Sequence, residues 1–596
     1  MSSEPELPPA LRSMVRLLRL GYQHEPRLLG AAFALTLLAA LPDALIALWL
    51  KLLSDGVQHH DRGTLLVAGL GLGLSATATW LLKTVSTRVQ RRFRDKVSIA
   101  LESHVARLQA GVTTIAHQER PDLLDRLSVL RNQVFVLDHM YMSVFSTAGW
   151  VLRLAVTVGL LASISPALVL LALFAAPTVL TSTWRPGVER AVEESAAAHD
   201  RLAKHLFTTA TTAGPGKEVR VTGIGRRLAE RRRSTWEQWY GPVAAARWHS
   251  ALWHTASWTV FGLAYVGGIV FVSSGLHRPA GDVLLVLAAG ARLSAYIGAT
   301  VGEIGFLRGI WLDGSRRLVW LESYAAALVA DADTPVPSRL TDGIRLDGVS
   351  FVYPGTERLV LDGLTLRLPA GAVVGVVGEN GAGKSTLVKL LCKLYEPTSG
   401  SILVDGAPLA RMGADDWRQR VAGAFQDFSR FEFRAQQSVG LGDVPRVDDE
   451  PAVVSAIGRA GAQDVLDRLE HGLATQLGAT WPEGVDLSFG QWQKIALARG
   501  FVRTDPLLLV LDEPTAALDA ETEHALFERY AAAAQESRES GRITFLVSHR
   551  FSTVRMADLI VVLDGSRLVE VGSHEDLLDR GGTYAELYGI QAAAYR

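Results

Sequence analysis

Gly378-Glu379-Asn380-Gly381-Ala382-Gly383-Lys384-Ser385-Thr386 decides how the second half of this chain is read. It fits G-x-x-x-x-G-K-[ST]. The apolar run 373–377 before it reads as a buried strand, and 387–392 after it reads as a helix. A phosphate-binding loop needs that strand–loop–helix setting. The glycines let backbone N–H groups approach a phosphate, and the helix N-terminus adds partial positive charge. The motif predicts that Lys384 reaches the β- and γ-phosphates of a nucleotide and that Ser385 binds Mg²⁺.

Working outward, 596 residues are too many for one core. The chain is 48% hydrophobic, with a formal net charge of -1, and its mean hydropathy is +0.19. The balanced charge gives no sign of a nucleic-acid partner. Cys392 is the single cysteine, so no disulfide forms within the chain, and a reduced cytosolic setting is expected there.

The apolarity is concentrated before residue 305. Residues 1–27 lack a secretory signal and read as an amphipathic segment, with Leu11, Met14, Val15 and Leu18 on one face and Arg12, Arg16 and Arg19 on another. Six apolar runs follow, at 28–50, 64–82, 142–163, 167–184, 252–275 and 282–304. Each approaches the ~20 residues that span a bilayer. Pro42 and Asp43 interrupt the first, and Arg292 and Glu303 sit in the sixth. Charges inside spans, such as Asp43, Arg153 and Arg292, either face a translocation cavity or pair with one another. The long connections 83–141 and 185–250 carry most of the arginine, for example Arg88, Arg91, Arg92, Arg94 and Arg231, Arg232, Arg233. The positive-inside rule places both of them, and both termini, in the cytoplasm. They read as helical extensions of the spans that turn near 111–121 and 214–225.

Residues 326–340 read as a linker, with Pro335, Pro337 and Ser338 among small and acidic residues. From 341 to 596 the pattern changes to short apolar strands alternating with helices, an α/β domain with a parallel sheet. Within it, 507–513 is a second buried strand ending in Asp512 and Glu513. Asp512 is placed to hold Mg²⁺ opposite Ser385, and Glu513 to polarise an attacking water. Ser488 and Gly490 open another helix and form a second anion site. Two phosphate sites in one chain suggest that they meet across a dimer.

These elements together resemble the nucleotide-binding domain of an ATP-binding cassette (ABC) transporter. Phe351-Val352-Tyr353 is similar to the loop that stacks on adenine. Gln426 matches the glutamine that touches Mg²⁺ and senses the membrane domain. Leu487-Ser488-Phe489-Gly490-Gln491 matches the signature Leu-Ser-Gly-Gly-Gln, with Phe489 in place of its first glycine. Ala517-Leu518-Asp519 resembles the loop that crosses between paired domains, and His549 matches the switch histidine on the γ-phosphate. Ser438-Val439 stands where the family usually has Asn-Ile. Six spans before one such domain resemble the exporter-type half-transporter.

The resemblance implies a multidomain membrane protein: an all-α six-helix domain over 28–325, then an α/β P-loop ATPase. It implies catalytic roles for Glu513, His549 and Gln426. It implies ATP contacts at Tyr353, the loop from Gly378 to Thr386, Ser488, Gly490 and Gln491. Mg²⁺ would be held by Ser385, Gln426 and Asp512. The partner would be a second half-transporter, identical or different, and the substrate is unidentified. Three other readings use the same motifs: uptake through an exporter-like fold, as in some siderophore systems; a soluble cassette ATPase, which the six spans oppose; and a channel gated by ATP.

Overall fold

The computed structural model describes residues 7–120, 123–124, 126–127, 130, 135–328, 332–513 and 540–594. It divides into two units: residues 1–110 with 126–323, and residues 111–125 with 324–596.

The first unit is helical. Helix α1 is Ala10–His24, with Leu17 buried and Arg12 and Leu11 outward. Helix α2, Pro26–Gln58, runs unbroken through Pro42, and α3 is Arg62–Gly111. The segment α4, Ala116–Glu119, belongs to the second unit. Helix α5, Phe135–Ile164, ends where Ser165 accepts the Ala167 N–H and Pro166 opens a 3₁₀ turn. Helices α6 (Ala176–Ser195), α7 (Ala213–Thr222), α8 (Gly225–Val270) and α9 (Ala280–Phe306) follow. A π-helical turn, Leu307–Trp311, continues α9 and leads into α10, Leu312–Ala327. Six helical segments are long and apolar enough to cross a membrane, and they cover all six apolar runs of the sequence. Among the described residues the long connections are mostly helical, with α3 ending at Gly111 and α7 lying between Thr212 and Gly223.

The charges inside the spans are drawn together. Asp43 of α2 pairs with Arg292 of α9 at 2.8 Å and with Arg153 of α5 at 3.4 Å. Tyr296 Oη donates to the same carboxylate at 2.8 Å. The Arg153 guanidinium also lies 4.6 Å over the Trp150 ring. The pairing alternative of the sequence reading therefore describes these three residues, and it ties three spans at one point.

The second unit holds two sheets. Strands β1 (Gly343–Val352), β2 (Leu359–Pro369), β4 (Ser399–Val404) and β5 (Ala407–Pro408) form an antiparallel sheet in the order β2-β1-β4-β5. The other sheet runs β10-β9-β3-β8-β7-β6. Its members are β3 (Val373–Gly378), β6 (Val421–Ala424), β7 (Leu508–Asp512), β8 (Ile543–Val547), β9 (Leu559–Asp564) and β10 (Arg567–Gly572). Strands β6, β7, β8, β3 and β9 are parallel; β10 is antiparallel. Every residue of β7 and β8 is buried, which is why these stretches read as continuous apolar runs rather than alternating ones.

Segment 111–125 packs into this unit. Ala116 joins the core beneath β1 and β2, and Ile115 N donates to Leu394 O at 3.2 Å. Glu119 pairs with Lys389 Nζ at 2.8 Å and accepts from Tyr395 Oη at 2.5 Å. The sequence placed this whole loop with the spans.

The cluster is only partly buried, with side-chain exposures of 25% for Asp43, 17% for Arg153 and 37% for Arg292, so removing one partner costs less than the ~3–5 kcal/mol of a fully buried pair. Asp43→Ala, which strands two arginines, is expected to lower the thermal midpoint of detergent-purified protein more than Arg153→Ala does. Asp43→Leu combined with Arg292→Leu is expected to recover part of the loss. Equal midpoints for Asp43→Ala and wild type would remove the ion cluster from the stability of the bundle.

Candidate nucleotide site

Parallel strands send their carboxyl ends to one edge of a sheet, where ligands of open α/β folds bind. In this unit Val376 of β3 and Asp512 of β7 both lie level with Val547 of β8. Gly378, Glu513 and His549 follow directly at that edge.

The loop after β3 is shaped by glycine. Gly378 has φ +152°, and a Cβ there would lie 2.1 Å from Leu563 O. Gly383 has φ +100°, and its Cβ would lie 2.6 Å from the Leu361 side chain. Neither position accepts another residue without moving backbone or core. Gly383 caps helix α11, Lys384–Leu391. Lys384 is buried, and its Nζ donates to Gly378 O at 2.7 Å and Glu379 O at 2.9 Å. The ammonium is thus folded onto its own loop, on carbonyls it can exchange for phosphate oxygens. Burial pulls its pKa down, and the carboxylates of Glu513 and Asp512 oppose that shift.

Asp512 is buried at the tip of β7. Burial, with the nearby charges of Glu513 and Asp427, pushes its pKa up to about 6, against a hydrogen bond from Ser385 and the charge of Lys384. Its Oδ1 has no hydrogen-bond partner. A buried, unsatisfied carboxylate oxygen beside a serine hydroxyl is an all-oxygen donor set that fits Mg²⁺.

Glu513 sits next to it in the left-handed region, at φ +47°, an uncommon backbone for a residue with a side chain. Its N–H donates to Val547 O at 3.0 Å. Gln426 Nε2 donates to Glu513 Oε2 at 2.9 Å, and His549 Nε2 lies 2.6 Å from Oε1. The three residues expected to be catalytic from sequence are one bonded cluster.

Tyr353 stands on the other side of the loop. Its hydroxyl is 3.0 Å from Thr386 Oγ1, and Lys389 Nζ lies 5.3 Å from its ring centroid. Tyr395 meets the Tyr353 ring edge-on at 5.5 Å. Through Lys389 and Tyr395 the ring is linked to Glu119 of α4. Sequence reasoning missed Glu119, because nothing in its own stretch marks it and its partners lie 270 residues on.

The signature residues form a separate group. Ser488 caps helix α12, Phe489–Phe501: its Oγ accepts the Gln491 N–H, and the Gln491 side chain accepts the Ser488 N–H at 2.8 Å. Gln491, expected at the nucleotide, is engaged in this cap. No bond among the described residues joins Ser488, Gly490 or Gln491 to the loop 378–386. Phe489 is half-exposed; its ring centroid is 5.4 Å from that of Phe428, and Arg430 stacks on it at 5.8 Å. Phe428 is two residues past Gln426. Ser438 and Val439 are buried, and Ser438 Oγ donates to Phe431 O at 2.6 Å. The expected crossing loop, Ala517-Leu518-Asp519, lies outside the described residues.

Residues 361–516 match the family model described as ABC transporter. Curated relatives match about half of the chain. The ATP-dependent lipid A-core flippase of Ralstonia nicotianae is 40% identical over 271 residues, 44% of this chain and 44% of the flippase. The nisin transport ATP-binding protein NisT of Lactococcus lactis is 30% identical over 308 residues, 52% of this chain and 50% of NisT. The chain thus spans about half the length, or less, of the curated relatives it matches. A solved structure of a bacterial Atm1-family ABC exporter with ATP bound superposes with a TM-score of 0.74, covering 95% of this chain and 99% of the other at 24% identity. The chain shares the fold of that exporter, with six helices among the described residues long and apolar enough to span a membrane ahead of residues 361–516, and it is a multi-pass membrane protein.

Two outcomes are expected of this geometry. Base–aromatic stacking contributes about 1–3 kcal/mol, so Tyr353→Ala is expected to weaken binding of a fluorescent ATP analogue about tenfold or more. Tyr353→Phe, which loses only the Thr386 contact, is expected to weaken it less, and equal affinity in all three proteins would take the base off this ring. Phe489→Gly removes the rings' contact, so amide exchange over 426–433 is expected to accelerate while α12 stays protected. Unchanged exchange there would show that Phe489 does not hold the segment.

Proposed function

We propose that this chain is one half of an ATP-driven exporter that works as a dimer. The bonded cluster of Glu513, Gln426 and His549 beside the Gly378–Thr386 loop carries the reading. A carboxylate held by two neutral or titratable donors, rather than by arginine or lysine, keeps its basicity for an attacking water. Lys384 binds the β- and γ-phosphates, with the loop amides from Glu379, Asn380, Gly381 and Ala382 and the hydroxyl of Thr386 around them. Tyr353 takes the base. His549 contacts the γ-phosphate and orients Glu513. Ser385, Gln426 and Asp512 are the residues that would hold Mg²⁺, which when bound neutralises phosphate charge. Ser488 and Gly490, remote from this loop in their own chain, complete the site of the partner chain.

Closure of the two domains around ATP then draws the cytoplasmic extensions together. ATP drives this only by binding the closed state better than the open one. The printed names of the relatives (a flippase, a nisin transporter and an exporter) favour outward movement over uptake. The nucleotide-binding domain lies in the cytoplasm on the arginine distribution. The partner is a second copy or another half-transporter.

Glu513→Gln keeps the shape of the side chain and removes the base. It is expected to lower ATP hydrolysis at least about 100-fold while retaining ATP, so that a nucleotide-loaded dimer survives gel filtration. Asp512→Asn is expected to lose Mg²⁺-dependent binding as well, and Lys384→Ala to lose turnover with weakened binding. Wild-type hydrolysis by Glu513→Gln would exclude this residue as the base; failure to bind ATP would give it a structural role only.

A further inference from the structure

In the first unit a cavity of about 430 Å³ opens among α3, α5, α9 and the π turn after α9. That volume suits a small organic molecule rather than an ion. Glu303, near the end of the sixth span, is in its wall. Two hydroxyls reach its carboxylate, Ser143 Oγ at 2.9 Å and Ser146 Oγ at 3.1 Å. Neither carries a charge, and among the described residues no cation pairs with it. The contrast with Arg292, which Asp43 answers at 2.8 Å, is direct.

Arg91 and Arg94 lie in the same wall. Arg94 is answered by Asp138 at 3.8 Å and Asp95 at 4.0 Å. Arg91 forms no ion pair among the described residues. The cavity thus presents one unanswered carboxylate and one unanswered guanidinium that do not bond each other. Glu303 lies in the sixth span, where an ionisable group is expensive unless something answers it, so its partner is the first question to ask. Arg91 lies beyond the second span, exposed on its cytoplasmic extension and open to an anion. Apolar surface completes the wall: Phe306 is 56% exposed, and Trp311 sits on the π turn, a distortion frequent at functional sites.

We propose that this cavity receives a zwitterionic amphiphile. Its ammonium goes to Glu303, its phosphate or carboxylate to Arg91, and its apolar body against Phe306 and Trp311. A simple cation would satisfy Glu303 but face both arginines. A simple anion would satisfy Arg91 but leave Glu303 opposed to it. A molecule with both charges answers both. Naming it the transported substrate rests on the exporter reading; its binding does not. A lipid headgroup and the termini of a short apolar peptide share this chemistry.

The test uses the full chain in an uncharged maltoside detergent. Equilibrium binding is measured for lysophosphatidylethanolamine, lysophosphatidic acid, dodecylamine and the peptide trileucine, with ATP hydrolysis followed in parallel. The zwitterionic lipid or the zwitterionic peptide is expected to bind at least ten times tighter than either singly charged amphiphile. Whichever of the two binds tighter names the source. Glu303→Gln is expected to abolish the advantage over lysophosphatidic acid, and Arg91→Gln the advantage over dodecylamine. The comparison among ligands on the wild-type chain needs no variant to fold. Equal binding of all four, tighter binding of a singly charged amphiphile, or an undiminished preference in a folded Glu303→Gln chain would overturn the proposal. Selective binding by a chain that hydrolyses no ATP would instead leave the site standing and sink the exporter reading.

Discussion

The second unit depends on one piece of strand register. Strand β8 lies between β3 and β7, parallel to both, so that Val376, Val547 and Asp512 end level. Two backbone bonds fix the edge beyond them: Glu513 N to Val547 O at 3.0 Å, and Ser548 N to Val376 O at 3.3 Å. Because all three strands are buried on both faces, a slip in register would have to move whole apolar rows against two packed layers. Lys384, Asp512, Glu513 and His549 come from three distant stretches of chain. Only this pairing makes them neighbours.

That edge concentrates negative charge in a place with little water. Burial first, and then the charges of Glu513 and Asp427, raise the Asp512 pKa to about 6, against the Ser385 hydrogen bond and the charge of Lys384. The sign follows from the raised value. The nucleotide-free unit takes up a proton at Asp512 more readily than an unfolded chain does. The stability this adds is full at low pH and is lost as pH rises through about 6. A divalent cation held there, as proposed, would favour the ionised carboxylate and reverse the balance, and the Asp512 Oδ1, unpartnered among the described residues, is the atom it would engage.

What the sequence shows well is whatever a single stretch encodes. The phosphate loop lies where its pattern predicts, the buried strands are the continuous apolar runs, and the six spans follow from length and hydropathy. Arg292 in the sixth span is neutralised at a distance by Asp43, which no local reading of α9 shows. The same limit hides other pairs. Phe489 reads alone as a departure from a motif; its neighbour Phe428 lies in another segment. Glu119 reads as one charge among many in a long loop, yet its ion pair with Lys389 assigns that turn of chain to the second unit. Side chains that meet through the fold leave no periodic signal in one sequence.

The placement of Glu119 has a mechanical consequence. Its two oxygens hold Lys389 and Tyr395, and both of those touch the Tyr353 ring. Tyr353 in turn meets Thr386 at the end of the phosphate loop. Phe351 closes the group edge-on against Tyr353 at 4.9 Å and against Tyr395 at 5.4 Å. Two of its members, Glu119 and Lys389, are 38% and 27% exposed, so pairwise bonds rather than close packing join the group. Helix α4 follows the end of α3, which carries the second span. A displacement of α4 therefore reaches the Tyr353 ring, and a ligand on that ring would bear back on α4. By reciprocity, whatever free energy such a ligand contributes to the position of α4, the position of α4 contributes to the affinity for the ligand. Glu119 is the residue through which that exchange passes, since it is the one carboxylate of α4 and both of its oxygens are committed to this group.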